Sequence, residues 1–285
     1  MSSHRKPKVR GGNKKVRDNY VMIPYEVIHD TDMDVNRVLV LSAILFSQWK
    51  CADVFAPTVD ELLPLIDYSG YVARRSSRSV INKYRAIVIE LAEDGYLSNS
   101  DLADGKCDSG TGGLIYNRKN QQCAIIWHSE FNELVYKRKR ETDANADNKT
   151  NVATALLLLA HTRVISFSHH KDKVKYYYNY INIVCERLGL SYYGCSSARG
   201  VLKALGILHS EELPRFTDAD GKWHSNVTLF IDMKAHLSKD KLDYSYNYEV
   251  YLPSIRYTIY STSHFGGFQK ECKKERIAKA TKKVS

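Results

Sequence analysis

The chain has 285 residues, is 44% hydrophobic and 26% charged, and carries a net charge of +10. That is the composition of a globular protein long enough for two domains, each with its own core. The longest apolar run, Ala153 to Ala160, falls short of the ~18 residues a membrane span needs, so no membrane association is expected.

The positive charge sits at the ends. Residues 1–17 hold seven Lys/Arg and no acid, and residues 270–285 hold seven Lys/Arg against two Glu. These tails carry +7 and +5, which against the total of +10 leaves the chain between them slightly acidic, at −2. Basic arms beside a near-neutral body suit a polyanion, because each cation placed near a phosphate releases condensed counterions. The basic start has no apolar segment behind it, which predicts no secretory signal and a cytoplasmic location.

In chain order, a basic disordered arm over residues 1–18 leads into a first domain over 19–136. An extended segment around Tyr20–Ile28 is interrupted by Pro24, and a helix from about Asp34 to Lys50 follows, with Val38, Leu39, Leu45, Phe46 and Trp49 on one face. Thr58 and Glu61 have the spacing of a capping box and predict a short second helix, in which Pro64 forces a kink or an early end.

A third helix begins near Arg74. Val80, Ile81, Tyr84, Ile87, Val88 and Leu91 form its apolar face, while Arg74, Arg75, Ser76, Ser77, Arg78, Asn82 and Lys83 are polar or basic. Glu93-Asp94-Gly95 ends it, with Gly95 as a left-handed cap. Tyr96-Leu-Ser98, a polar loop, and Cys123–Trp127 then read as a hairpin. Helix, helix, turn, basic helix and hairpin is the order of a winged helix-turn-helix, whose last helix faces the major groove. The alternative is an ordinary amphipathic helix with a solvated basic face.

Residues 137–151, KRKRETDANADNKTN, hold no apolar residue larger than alanine and predict a polar linker. The same order then repeats over residues 152–235: an apolar helix from Val152 to about Phe167, a second helix through Ile181–Leu188, a turn at Gly189, and a third helix with Ala198, Val201, Leu202 and Leu205 inside. On its outer side lie Tyr192, Tyr193, Ser196, Ser197, Arg199 and Lys203. Leu205-Gly206-Ile-Leu208 matches Asp94-Gly95-Tyr-Leu97 in position and type, and a second hairpin follows. Alternating Tyr and Ile predict an extended Tyr-rich segment over 236–269 packed on the second domain, and residues 270–285 form a basic tail.

Catalytic signatures are missing: no GxxxxGK[ST], GxSxG, HExxH or GxGxxG occurs. A tyrosine nucleophile among Tyr176, Tyr177 and Tyr178 lacks the His-x-His or Arg/His neighbours it would need. The six cysteines, Cys51, Cys107, Cys123, Cys185, Cys195 and Cys272, show no metal-ligand spacing and read as isolated reduced thiols. The expectation is a non-enzyme without cofactor or metal.

The fold expected is therefore α+β, two tandem winged-helix domains with basic flexible tails. Its candidate DNA contacts are Arg74, Arg75, Ser76, Ser77, Arg78, Asn82, Lys83, Tyr193, Ser196, Ser197, Arg199 and Lys203. Arginine reads guanine and asparagine reads adenine bidentately, while Ser and Lys hold phosphates. Over residues 20–235 this order of elements resembles the replication initiator proteins of plasmids and phages. The resemblance implies binding of double-stranded DNA at origin repeats, help in duplex opening, host helicase or primase as partners, and monomer and homodimer forms. In those plasmid initiators the helices of each unit are longer than the one at residues 58–66. A transcriptional regulator, and a protein-interaction module with basic tails, are the other readings.

Overall fold

The computed structural model describes residues 19–50, 59–73, 78–97, 122–169, 174–214, 216–217, 221, 223–224, 227–233, 237–238, 241–242, 249 and 252–261. The chain is α+β, with helices built around small antiparallel sheets.

Strand β1 (Tyr20–Pro24) runs into the one-turn helix α1 (Tyr25–His29), as Pro24 requires, and then into α2 (Arg37–Lys50). Residues Val38 to Phe46 of α2 are buried on every side, so this is a central helix and not the one-faced helix the sequence suggested. Buried Arg37 sets its start. The guanidinium donates to the carbonyls of Val27, Ile28, Met33 and Asp34, tying the end of α1 to the start of α2.

Helices α3 (Val59–Ile66), α4 (Tyr68–Val72) and α5 (Arg78–Glu93) follow. Pro64 lies inside α3, which continues through it to Ile66. Strand β2 (Cys123–Trp127) pairs antiparallel with β1, Tyr20 opposite Trp127 and Pro24 opposite Cys123. This corrects the first predicted hairpin: Tyr96 and Leu97 are not in a strand, and Cys123–Trp127 finds its partner near residue 20. The predicted wing loop lies outside the described residues.

Helix α6 (His128–Asp143) comes next, so residues 137–143, expected as linker, are its second half. Phe131, Leu134 and Val135 anchor the first half in the core, and the charged remainder continues the same helix. Thr150 ties the end of the connection back by donating its N–H and hydroxyl to Glu141.

Helix α7 (Val152–Ile165) is buried from Val152 to Thr162 and packs on α2, α1 and β2. Side chains from both predicted domains thus share one continuous core, from Ile23, Leu41 and Leu91 to Leu157, Leu202 and Phe230.

The second half reads β3 (Phe167–His169), β4 (Val174–Tyr180), α8 (Ile181–Leu188), α9 (Tyr192–Ala204), β5 (Leu208–Leu213), a short hairpin β6 (Phe216–Thr217) and β7 (Trp223–His224), then β8 (Val227–Asp232). The four-stranded sheet has the order β3-β4-β8-β5, all antiparallel. Strand alternation divides its side chains: Tyr177 and Phe230 point into the main core, while Tyr176, Tyr178, Leu229 and Ile231 face the other way.

A two-strand pair, β9 (Leu237–Ser238) with β10 (Lys241–Leu242), precedes helix α10 (Leu252–Ser261). Ile255 and Ile259, one turn apart, cover the outer face of the four-stranded sheet, and Arg256 forks onto Glu211 at 2.8 and 2.9 Å. Within the Tyr-rich segment, residues 252–261 pack on the sheet and are helical, not extended. The buried spacing of four residues obeys the helix period, and Tyr257 between them is exposed.

Among the described residues no helix is long and apolar enough to cross a membrane.

Candidate nucleic-acid interface

Helix α5 anchors through Tyr84, Ile87, Val88 and Leu91, all buried. The Tyr84 hydroxyl donates to the Ile66 carbonyl at 3.2 Å, and burial, with Asp67 and Asp34 nearby, pushes its pKa up to about 12. The opposite face exposes Arg78, Asn82 and Lys83. Lys83 Nζ reaches Asp34 Oδ2 at 3.0 Å. Burial raises the Asp34 carboxyl, but the Asn36 N–H and Lys83 outweigh it and hold the group below its usual value. Arg74, Arg75, Ser76 and Ser77 lie outside the described residues.

Helix α9 is laid out the same way. Cys195, Ala198 and Leu202 face the core, while Tyr192, Tyr193, Ser196, Ser197 and Lys203 are exposed. Ser191 caps the helix by accepting from the Gly194 N–H at 3.0 Å. Tyr193 is 74% exposed at its first turn. Arg199 departs from the expected set. Its guanidinium lies over the Phe230 ring at 5.9 Å and reaches Ser210 at 3.4 Å and Glu212 at 3.5 Å, so it braces α9 on β5 rather than standing free.

Both helices stop identically. Tyr96 N–H bonds to Leu91 O and Ile207 N–H to Leu202 O, each at 2.9 Å, around Gly95 at φ +78° and Gly206 at φ +64°. The left-handed turn lets Leu97 and Leu208 re-enter the core. The repetition seen in the sequence is therefore physical at the ends of these helices.

Behind α9, Cys185 of α8 and Cys195 share a thiol hydrogen bond, and burial pushes Cys195 up to about 12, so neither is a ready thiolate. Tyr176, Tyr177 and Tyr178 are buried in the sheet. Among the described residues no cluster of three His, Cys, Asp or Glu is placed to hold a metal ion.

The chain matches no family model, no curated protein and no solved structure.

Two features escaped the sequence reading. One is a buried ion cluster in which Arg163 of α7 donates to Glu130 at 2.6 and 2.7 Å, to Asp232 at 2.8 and 2.9 Å, and to the Ile125 carbonyl at 2.8 Å. Burial opposes the guanidinium charge, but Asp232 and Glu130 overcome it and raise its pKa above the ordinary value. The cluster fastens α6 and β2 to β8. Nothing in residues 130, 163 and 232 announced it, because the spacing is set by the fold alone.

The other is a polar cavity of about 260 Å³ at the start of α7, lined by Asn36, Asp67, Tyr68, Arg138 and Lys149 among others.

Proposed function

We propose that this protein binds double-stranded DNA sequence-specifically through two helix-turn-helix units whose last helices are α5 and α9, the second with a wing sheet, and that it acts as a replication initiator of the plasmid or phage type. The observation that carries the reading is the pair of like-ended helices, each anchored by one apolar face and carrying on the other an uncovered polar face with groups suited to base edges and phosphates. The second half supports it further: helix α7, strand β4, helices α8 and α9, then strands β5 and β8 in the sheet order β4-β8-β5, follow the order of elements expected of a helix-turn-helix with a wing sheet.

In this reading α5 contributes Arg78, Asn82 and Lys83, with Arg74, Arg75, Ser76 and Ser77 leading into it. Helix α9 contributes Tyr193, Ser196, Ser197 and Lys203, and the basic tails add affinity without sequence. The protein is not an enzyme; partners such as helicase or primase, and a homodimer, follow only from the initiator reading.

The test is titration against the DNA flanking its own gene and against random duplex at two salt concentrations. Preference for the flanking DNA that persists at higher salt supports the reading, and weak binding to both that is lost together refutes it. A minimal plasmid carrying the gene and its flanks separates an initiator, which drives replication, from a regulator, which binds without it.

A further inference from the structure

We infer that the second half of helix α6 is a phosphate-contacting surface that grips the same duplex as α5; this rests on the DNA-binding reading above. The run Lys137-Arg-Lys-Arg140 sits on a rigid helix and not on a tether. Its end is braced on α4: Ser69 Oγ lies 3.0 Å from Thr142 Oγ1, the Tyr68 hydroxyl donates to Asp143 at 3.3 Å, and Lys139 Nζ stands 4.8 Å over the Tyr68 ring.

The charges on this surface are unbalanced in one direction. Glu141 is taken up by Lys137 and by the N–H and hydroxyl of Thr150, and Asp143 accepts from Tyr68. Among the described residues, Arg138, Lys139, Arg140 and the nearby Lys149 have no carboxylate partner, and Arg140 and Lys149 are exposed. Arg138 and Lys149 both line the 260 Å³ cavity, two cations against the single carboxylate of Asp67.

Position makes DNA the fitting partner. Val72, the end of α4, and Arg78 are six positions apart, so the chain holds the two within ~20 Å. That is less than one ~34 Å turn of duplex, so α4, on which the end of α6 is braced, ends within one turn of the start of α5. Lys and Arg supply most protein contacts to phosphate oxygens, and a run of four along one helix suits a row of phosphates.

The experiment compares the full chain with the triple variant Arg138→Gln, Lys139→Gln, Arg140→Gln on the flanking and the random duplex across a salt series. The expected result is a log-affinity against log-salt slope smaller by about 2 to 3, with affinity for both duplexes lowered by the same factor, ~10-fold or more at low salt. Lys149→Gln alone, in an exposed turn, should lower the slope by about 1 and guards against misfolding of the triple variant. Arg138→Lys with Arg140→Lys should keep the wild-type slope.

Unchanged slopes in the triple and Lys149 variants overturn the inference and leave the helix for an acidic protein partner. A reduced slope in a protein whose wild type shows no preference for the flanking duplex supports the phosphate surface and refutes the sequence-specific reading.

Discussion

His29 Nε2 and His161 Nδ1 face each other at 2.7 Å across the contact between α1 and α7. His29 Nδ1 lies 3.2 Å from the Tyr25 carbonyl and must be the donor there. In the neutral ring Nε2 is then an acceptor, so His161 donates through Nδ1 and keeps a bare Nε2 in the core, against the Tyr177 ring. A proton on His29 Nε2 would set two donors against each other, and one on His161 would place a charge on a buried Nε2 that has no hydrogen-bond partner.

This arrangement makes stability depend on pH. Burial, the His29 ring and Arg187 push His161 well below its ordinary 6.5. A folded-state value below the unfolded one means the unfolded chain takes up the proton. The contribution of His161 is therefore complete above about pH 6.5 and declines by up to ~1.4 kcal/mol per unit as pH falls below that. Half-buried His209, also lowered by burial, adds in the same direction. Urea unfolding at pH 7.0 and 5.5 should show a smaller loss in His161→Gln than in wild type; equal losses would clear His161 of the effect.

Arg163 predicts a large stability change. Arg163→Met leaves Glu130 and Asp232 buried beside each other without their cation and should cost about 3–5 kcal/mol. Replacing all three with apolar residues of similar volume should recover much of that loss. Denaturant midpoints for the single and triple variants check both statements, and a single variant within 1 kcal/mol of wild type would contradict them.

Much of this fold was legible because it depends on local signals. The apolar faces of α5 and α9 and their glycine stops are properties of short stretches, and all appear where the pattern placed them. What failed depends on distant partners. Cys123–Trp127 reads as a strand, but nothing local says that its mate is Tyr20–Pro24. Lys137–Asp143 reads as a tether because it is polar all round; Phe131 and Leu134 one or two turns earlier hold it as a helix. Of the candidate contacts, exposed Arg78 and Ser196 were legible from helix phase, whereas Arg199 sits at the edge of that face and is drawn in by Phe230 and Glu212.

The two helix stops should respond alike. An added Cβ meets nothing within 4 Å at either Gly95 or Gly206, so alanine there costs only the left-handed backbone, about 1–2 kcal/mol at each. Urea unfolding of the two alanine variants measures this; a large difference between them would show that the stops are not equivalent.

Arg78 and Arg199 should part company in binding. Arg78→Ala should lose about 1–3 kcal/mol of specific affinity with little change in stability, since the residue is exposed. Arg199→Ala should act chiefly on stability, through lost contact with Phe230 and Glu212. Calorimetric melting beside DNA titration separates the two. Equal binding losses with equal melting temperatures would return Arg199 to the DNA-contacting face.

The most direct measurement is the ratio of affinities for the flanking duplex and random duplex at the higher salt, in wild type and in a variant with Arg78, Asn82, Ser196 and Ser197 changed to alanine and both tails intact. The account predicts a wild-type ratio well above ~10 that falls toward one in the variant, whose residual non-specific binding stays salt-dependent. A ratio near one in the wild type, or a ratio the variant preserves, would contradict the claim that α5 and α9 read DNA.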